Sequence, residues 1–128
     1  FYPLMRYAEV LLMHAEAENE ISLSGPTTAA YTSLGLVRSR ASATPATSGM
    51  TQEQFRSFVL AERAREFNLE GIRRFDLQRW GIYLQVMNKI STGQNNISKV
   101  RSLKNLLLPL PLNELNANTA IKINNPGW

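Results

Sequence analysis

Glu62 and Glu66 stand four residues apart at the head of ERAREFNLEGIRRFDLQRWG (residues 62–81), where Glu70 and Asp76 follow among Arg63, Arg65, Arg73, Arg74 and Arg79. Paired carboxylates serve acid/base chemistry, carboxylates with histidine serve a di-metal centre, and arginines beside aromatic rings serve nucleic-acid binding. Each use requires companions that the chain can be searched for. A di-metal carboxylate bundle needs Glu-x-x-His pairs, but the one histidine is His14, with no Glu three residues before it. His14 reads instead as a packed or partly exposed helix residue. A glycosidase needs two carboxyls facing each other across a cleft; two on one helix face, in arginine-rich company, are poorly placed for that. Phosphate binding by Arg73, Arg74 and Arg79 would be opposed by Glu70 and Asp76 lying among them. Glycine-rich phosphate loops, Ser-His-Asp arrangements and metal-spaced clusters do not occur. No catalytic residue, metal ligand or cofactor is therefore assigned.

Composition narrows the classes further. The net charge is +4, but the 14 basic residues are spread along the chain beside 10 acidic ones, unlike the one-sided basic stripe of a nucleic-acid binder. Without cysteine there is no disulfide framework, thiolate metal site or cysteine nucleophile. No run approaches the roughly 18 apolar residues of a membrane span, and FYPLMRYAEV lacks the layout of a signal peptide. An apolar start without an initiating Met is expected of a mature or truncated fragment. A length of 128 residues suits one domain or part of a larger protein.

The elements that must carry the charged stretch follow from periodicity. Residues 4–21 contain no Gly or Pro and predict a helix, with Leu4, Tyr7, Ala8, Leu11 and Ala15 on one stripe and Val10, Met13 and Ala17 on a second. Apolar on nearly all sides, it is expected to be buried, with Ala8 and Ala15 allowing close approach. A turn at SLSGPTT leads to a second helix over 28–41, weakened by Gly35. Together they form an αα-hairpin of the helical-repeat kind. The small, polar, Pro- and Gly-broken residues 42–50 read as an exposed loop. Thr51 with Gln54 predicts a capping box for a helix running to about residue 70, where Gly71 and Ile72 resemble a C-terminal stop. A shorter helix over 73–87, a polar connection over 88–104 and a proline-broken extended tail with a turn near 113–116 complete the chain.

On the third helix, Phe55, Phe58, Val59 and Leu69 fall within about 100° of one another, with Glu62 and Glu66 in their midst. Carboxylates on such a face lose hydration worth several kcal/mol and need partners. Arg38, Arg40, Arg73, Arg74 and Arg79 offer planar guanidinium forks. The expectation is a structural ion-pair network of Arg38, Arg40, Glu62, Glu66, Arg73, Arg74, Asp76 and Arg79, with Phe67, Phe75 and Trp80 as core. Indole faces also suit sugar rings; Trp80, between Arg79 and Gly81, is expected in the core, while Trp128 either docks as an anchor or frays.

Four blocks, RYAEVLLMHAEAENEI, LGLVRSRA, LAERAREFNLEGIRRFDLQRWG and LLLPLPLNELNANTAIKINNPGW, occur in an order that closely resembles the C-terminal part of the SusD/RagB family. The third carries the most specific match, through Glu62, Arg63, Glu66, Glu70, Gly71, Arg74, Asp76, Leu77, Arg79, Trp80 and Gly81. The resemblance implies a mostly α fold of tetratricopeptide-like helix pairs with irregular loops and an extended C-terminal tail, residues 1–128 being one helical domain of a longer protein. It also implies surface-exposed outer-membrane lipoproteins of Bacteroidetes. These bind glycans or other nutrients, without enzymatic activity, as partners of a TonB-dependent, SusC-like transporter. The membrane would be reached only through a lipid anchor outside this chain. No ligand-binding residue carries over, because those of the family come from upstream segments and variable loops; here residues 42–50 and 88–104 are the variable stretches. The alternative is a helical interaction scaffold that binds the transporter and no ligand itself.

Overall fold

In a computed structural model that describes residues 5–89 and 100–128, the chain is mostly α-helical, with no strand among those residues. It divides into two compact units, Phe1–Arg73 and Arg74–Trp128. The first holds α1 (Tyr7–Ile21), α2 (Thr28–Arg40) and α3 (Gln52–Glu66), in the manner of tetratricopeptide-like helix pairs.

Both α2 and α3 pack against α1. The core between them is Ala8, Leu12 and Ala15 of α1, Ala30, Leu34 and Val37 of α2, and Phe55 and Val59 of α3, with Phe67 just beyond. The three- and four-residue spacings put each set on one helix face. The Phe55 and Tyr31 rings meet in a T-shaped arrangement with centroids 5.0 Å apart. Start signals are as local chemistry dictates. Thr51 and Gln54 form a reciprocal capping box, and the Thr27 hydroxyl accepts from the Ala30 N–H at 3.1 Å while donating to Glu18 at 2.8 Å.

Several sequence expectations are corrected. Leu4 lies outside the described residues, and α1 starts at Tyr7 because Arg6 is extended. This helix is one-faced rather than buried on all sides: Tyr7 is 72 % exposed, Val10 43 % and Met13 41 %, because α2 and α3 share the opposite stripe. The third helix stops at Glu66, a turn earlier than the Gly71 signal suggests. Continuing it would give the Glu66 carbonyl to the Glu70 N–H; instead Arg6 Nη2 donates to that carbonyl at 3.0 Å and the Glu70 N–H turns back to Phe67 at 3.1 Å. Leu69 consequently leaves the core face, 95 % exposed with a left-handed φ of 68°.

The second unit is built differently. The helix expected over 73–87 is broken into α4 (Arg73–Arg79) and α5 (Tyr83–Met87) by Gly81, whose φ of 70° suits glycine's lack of a Cβ. Buried apolar groups here are Leu77 and Tyr83, while Phe75, expected in the core, is 65 % exposed. Part of the polar connection expected over 88–104 lies outside the described residues; its end forms a 3-10 turn, Leu103–Leu106. The tail contains a short helix α6 (Leu112–Ala117) where only a turn is expected, with Pro111 as its N-cap. Proline at that boundary loses nothing, since the first N–H groups of a helix have no intrahelical partner.

Because Pro109 and Pro111 lack N–H groups, the tail is pinned by side chains. Asn124 Oδ1 accepts from the Leu110 N–H at 2.8 Å, Asn125 Nδ2 donates to the Leu108 carbonyl at 2.6 Å, and Gln78 Nε2 to the Leu106 carbonyl at 2.6 Å. Trp128 docks: its indole N–H donates to the Lys104 carbonyl at 3.0 Å, and Lys104 Nζ lies 4.8 Å from its ring centroid.

Two side-chain pairs fasten α1 to α3. Gln52 Nε2 donates to the carbonyls of Asn19 at 2.9 Å and Ser22 at 3.1 Å, satisfying acceptors at the end of α1. In return the fully buried Asn19 donates to the Gln52 carbonyl at 3.1 Å. Nearby, Arg56 bonds Glu20 through two nitrogens, which holds the Glu20 carboxyl below the usual carboxylate range despite the opposing desolvation. Gln52→Ala is expected to destabilise the first unit by about 1–3 kcal/mol, the cost of unsatisfied acceptors, read by urea unfolding. The Glu20 contribution is present above the ordinary carboxylate pKa and is lost as pH falls through its lowered folded value. Partly exposed, the pair should be worth less than about 1 kcal/mol after screening. The stability gap between wild type and Glu20→Gln is expected to close in acid, and a gap unchanged down to full carboxylate protonation would refute the linkage.

Candidate functional site

The densest polar constellation lies in the first unit, where α2 and α3 present their ends to the extended residue Arg6. Glu62 and Glu66 come from successive turns of α3, with only 6 % and 7 % of their side chains exposed. Arg38 and Arg40 come from the last turn of α2. Arg38 Nη1 bonds Glu62, and Arg65 Nη2 reaches the same oxygen at 2.7 Å. Arg40 Nη2 donates to both oxygens of Glu66, at 2.8 and 2.7 Å. Arg6 reaches Glu66 through Nη1 at 2.9 Å and grips Glu70 with two parallel bonds of 3.1 and 2.8 Å. This bidentate fork is the strong form of charge-assisted hydrogen bonding. Hydrogen bonds from Arg6 to the Glu70 and Glu66 carboxylates raise its pKa above the ordinary arginine value.

Aromatic rings complete the cluster. The guanidinium carbons of Arg6 and Arg63 each lie 5.1 Å from the Phe67 ring centroid, and that of Arg38 lies 4.9 Å from Phe58, within cation–π range. Arg63, nearly fully buried, also approaches Glu9 of α1 at 3.8 Å.

The eight residues expected to form one network are therefore divided. Arg38, Arg40, Glu62 and Glu66 meet. Arg73 donates to the Leu60 carbonyl at 3.2 Å and Arg74 to the Asn105 carbonyl at 2.9 Å, with its guanidinium 5.3 Å from the Tyr83 ring. In the second unit, Asp76, buried, pairs with Arg79 at 3.3 Å. Sequence reasoning missed Arg6, Arg65 and Glu70. A helix read from residue 4 places Arg6 inside the first turn, whereas its extended backbone sends the side chain toward residues 66 and 70; its place at the head of the RYAE block was the available signal.

Chemically, the constellation is a clamp. Each buried carboxylate is held by two guanidinium groups, leaving it poorly placed to take a substrate proton. Among the described residues, no group of three His, Cys, Asp or Glu could hold a metal ion, and His14 bonds Ser33 Oγ at 2.9 Å. Beside the clamp, residues 42–50 are anchored by Arg38 Nε, which donates to the Thr44 carbonyl at 2.7 Å. The Met50 N–H donates to the Tyr31 hydroxyl at 3.1 Å. Their far end borders an open depression of about 740 Å³ lined by Thr47, Ser48, Thr51, Glu53, Ser57 and Phe58.

The sequence model described as the SusD family matches residues 1–128. Two relatives from Formosa agariphila are similar: SusD-like protein P25, 38 % identical over 92 % of this chain and 22 % of its own length, and SusD-like protein P2, 35 % identical over 99 % and 26 %. Among solved structures, a SusD homolog from Bacteroides thetaiotaomicron superposes with a TM-score of 0.80 at 32 % identity, over 98 % of this chain and 26 % of that one. A SusD superfamily protein from Bacteroides vulgatus gives 0.75 at 28 %, over 97 % and 27 %. The chain thus spans about a quarter of the length of the relatives it matches.

Breaking the clamp tests its energetics. Glu62→Ala strands Arg38, whose side chain is only 11 % exposed, and is expected to destabilise by about 3–5 kcal/mol. Glu66→Ala is expected to cost less, because Arg40, 62 % exposed, can return to water. Equal midpoints for both variants in chemical unfolding would contradict this ordering.

Proposed function

Since the chain belongs to the SusD family over residues 1–128, we propose that the longer protein containing it captures glycans or other nutrients at the bacterial cell surface, without chemical change, as partner of a TonB-dependent outer-membrane transporter of SusC type. A lipid anchor elsewhere in that protein would hold it to the outer membrane. The family match along the whole chain is the observation that carries the reading, and the 0.80 TM-score to a SusD homolog supports it.

The local chemistry agrees with capture rather than turnover. The buried carboxylates are engaged by arginines, while the hydroxyl, carboxylate and aromatic groups around the 47–58 depression are what sugar hydroxyls and a pyranose face would meet. In this reading, Arg38 and Tyr31 hold the two ends of the 42–50 loop so that it presents those groups. A second reading is favoured by the internal satisfaction of the Arg/Glu clamp: residues 1–128 act as a helical scaffold toward the transporter, with ligand held elsewhere in the protein.

A glycan array probed with the complete protein is expected to show binding that neither enzymatic release nor product formation accompanies. Glu53→Ala together with Ser57→Ala should weaken that binding about tenfold, as loss of one or two hydrogen bonds would, in isothermal titration. Absence of any glycan or nutrient binding by the complete protein would remove the capture reading. Undiminished affinity in the double variant would leave residues 1–128 the scaffold role alone.

A further inference from the structure

The clamp satisfies its carboxylates without using all of its arginine donors. Arg40 spends Nη2 on Glu66, and Arg65 spends Nη2 on Glu62. Among the described residues, Nη1 and Nε of both groups have no protein partner. These two are also the outermost cations of the cluster. Their side chains are 62 and 58 % exposed, against 7 and 6 % for the glutamates beneath them, and Glu70 is gripped by the fork of Arg6. Charge is therefore layered, carboxylate inside and guanidinium outside, and an approaching molecule meets the positive layer first.

Both arginines line a second open depression of about 740 Å³, with Ala41, Ala43 and Phe58. Its charged lining sets Arg6, Arg38, Arg40 and Arg65 against Glu62, Glu66 and Glu70, an excess of one positive charge. The carboxylates that hold Arg40 and Arg65 stand four residues apart on α3, about 6 Å of helical rise, so the two heads sit at one mouth. A guanidinium already held by a buried partner gives up little side-chain freedom when it takes a second anion. With Nη2 committed, each offers single charge-assisted bonds rather than a fork, which suits an anion bridged between two side chains. Phe58 also borders the 47–58 depression, so one ring adjoins both hollows. Given the capture reading, on which this rests, we infer that the Arg40–Arg65 depression receives the acidic group of a glycan, a carboxylate or a sulfate, whose neutral part lies along the 47–58 depression.

A glycan array printed in pairs tests this on the complete protein: uronate oligomers beside their carboxyl-reduced forms, and sulfated oligomers beside their desulfated forms. The acidic member of a bound pair is expected to bind about tenfold more tightly in isothermal titration, as one or two charge-assisted hydrogen bonds would give. That advantage should shrink as sodium chloride is raised. A preference confined to the uronate pairs identifies the group as carboxylate, and one confined to the sulfated pairs identifies it as sulfate. Arg40→Gln together with Arg65→Gln should erase the preference, but it also strands two buried glutamates. Ala41→Glu leaves the clamp intact; its exposed position puts a resident carboxylate in the depression, which should cost the acidic member about tenfold. Equal binding of both members, or a preference that Ala41→Glu and added salt leave unchanged, overturns the inference while the capture reading stands. Absence of binding to every pair overturns both. A glutamate-rich peptide that binds more tightly than any acidic glycan assigns the depression to a protein partner and overturns the inference as well.

Discussion

Glu66 is the residue on which the first unit closes. Its carboxylate takes Arg40 from α2 and Arg6 from the segment before α1, while its backbone carbonyl takes a second bond from Arg6. Side chain and main chain at this one position thereby join three parts of the unit: the end of α3, the last turn of α2 and the segment that enters α1. A buried carboxylate is costly by itself, and here the cost is offset by planar donors arriving from two directions. The geometry could not be met by lysine, a point charge without the fork that grips Glu70 at the same time.

Glu62 repeats the arrangement one turn earlier with Arg38 and Arg65. The two carboxylates would repel each other on a bare helix; interleaved with guanidinium groups they become a ladder of alternating charge. Phe58 and Phe67 lie beneath it, lending their ring faces to Arg38, Arg6 and Arg63. Charge and apolar surface are thus layered in one cluster, which is why the stretch from residue 62 mixes them so densely. The same mixture resembles a catalytic or nucleic-acid site when read as a string of residue types.

What the sequence makes legible is whatever local chemistry decides. The Thr51–Gln54 capping box, the αα-hairpin of the first two helices and the Phe55 and Val59 part of the core face of α3 follow from side-chain types at short spacing. Placing Glu62 and Glu66 on the core face of α3 also follows, from the helical period. What escaped depended on contacts distant in the chain. Gly71 is a sound stop signal, yet α3 ends earlier because Arg6, sixty residues away, occupies the carbonyl a further turn would need. Leu69 was placed in the core by a periodicity that no longer holds past Glu66. The one-sidedness of α1 arises from both neighbours choosing one stripe, a choice that neither apolar face announces. In the tail, asparagines that look like loop filler are the donors and acceptors that replace a β-ladder.

The tie between Arg38 and residue 44 has a bearing on how such a protein can diversify. Arg38 neutralises Glu62 with one nitrogen and holds the Thr44 carbonyl with another. At its far side the loop is fixed by the Met50 N–H on Tyr31. Both attachments grasp main-chain atoms, which every amino acid except proline supplies at the second point and every one supplies at the first. Of the residues between them, Ala46 packs against the core and Gly49 keeps a left-handed φ of 76°, so Thr47 and Ser48 are the positions whose side chains can change without loosening either hold. An unchanging frame can in this way carry a succession of different recognition surfaces, each new one inheriting a position already set.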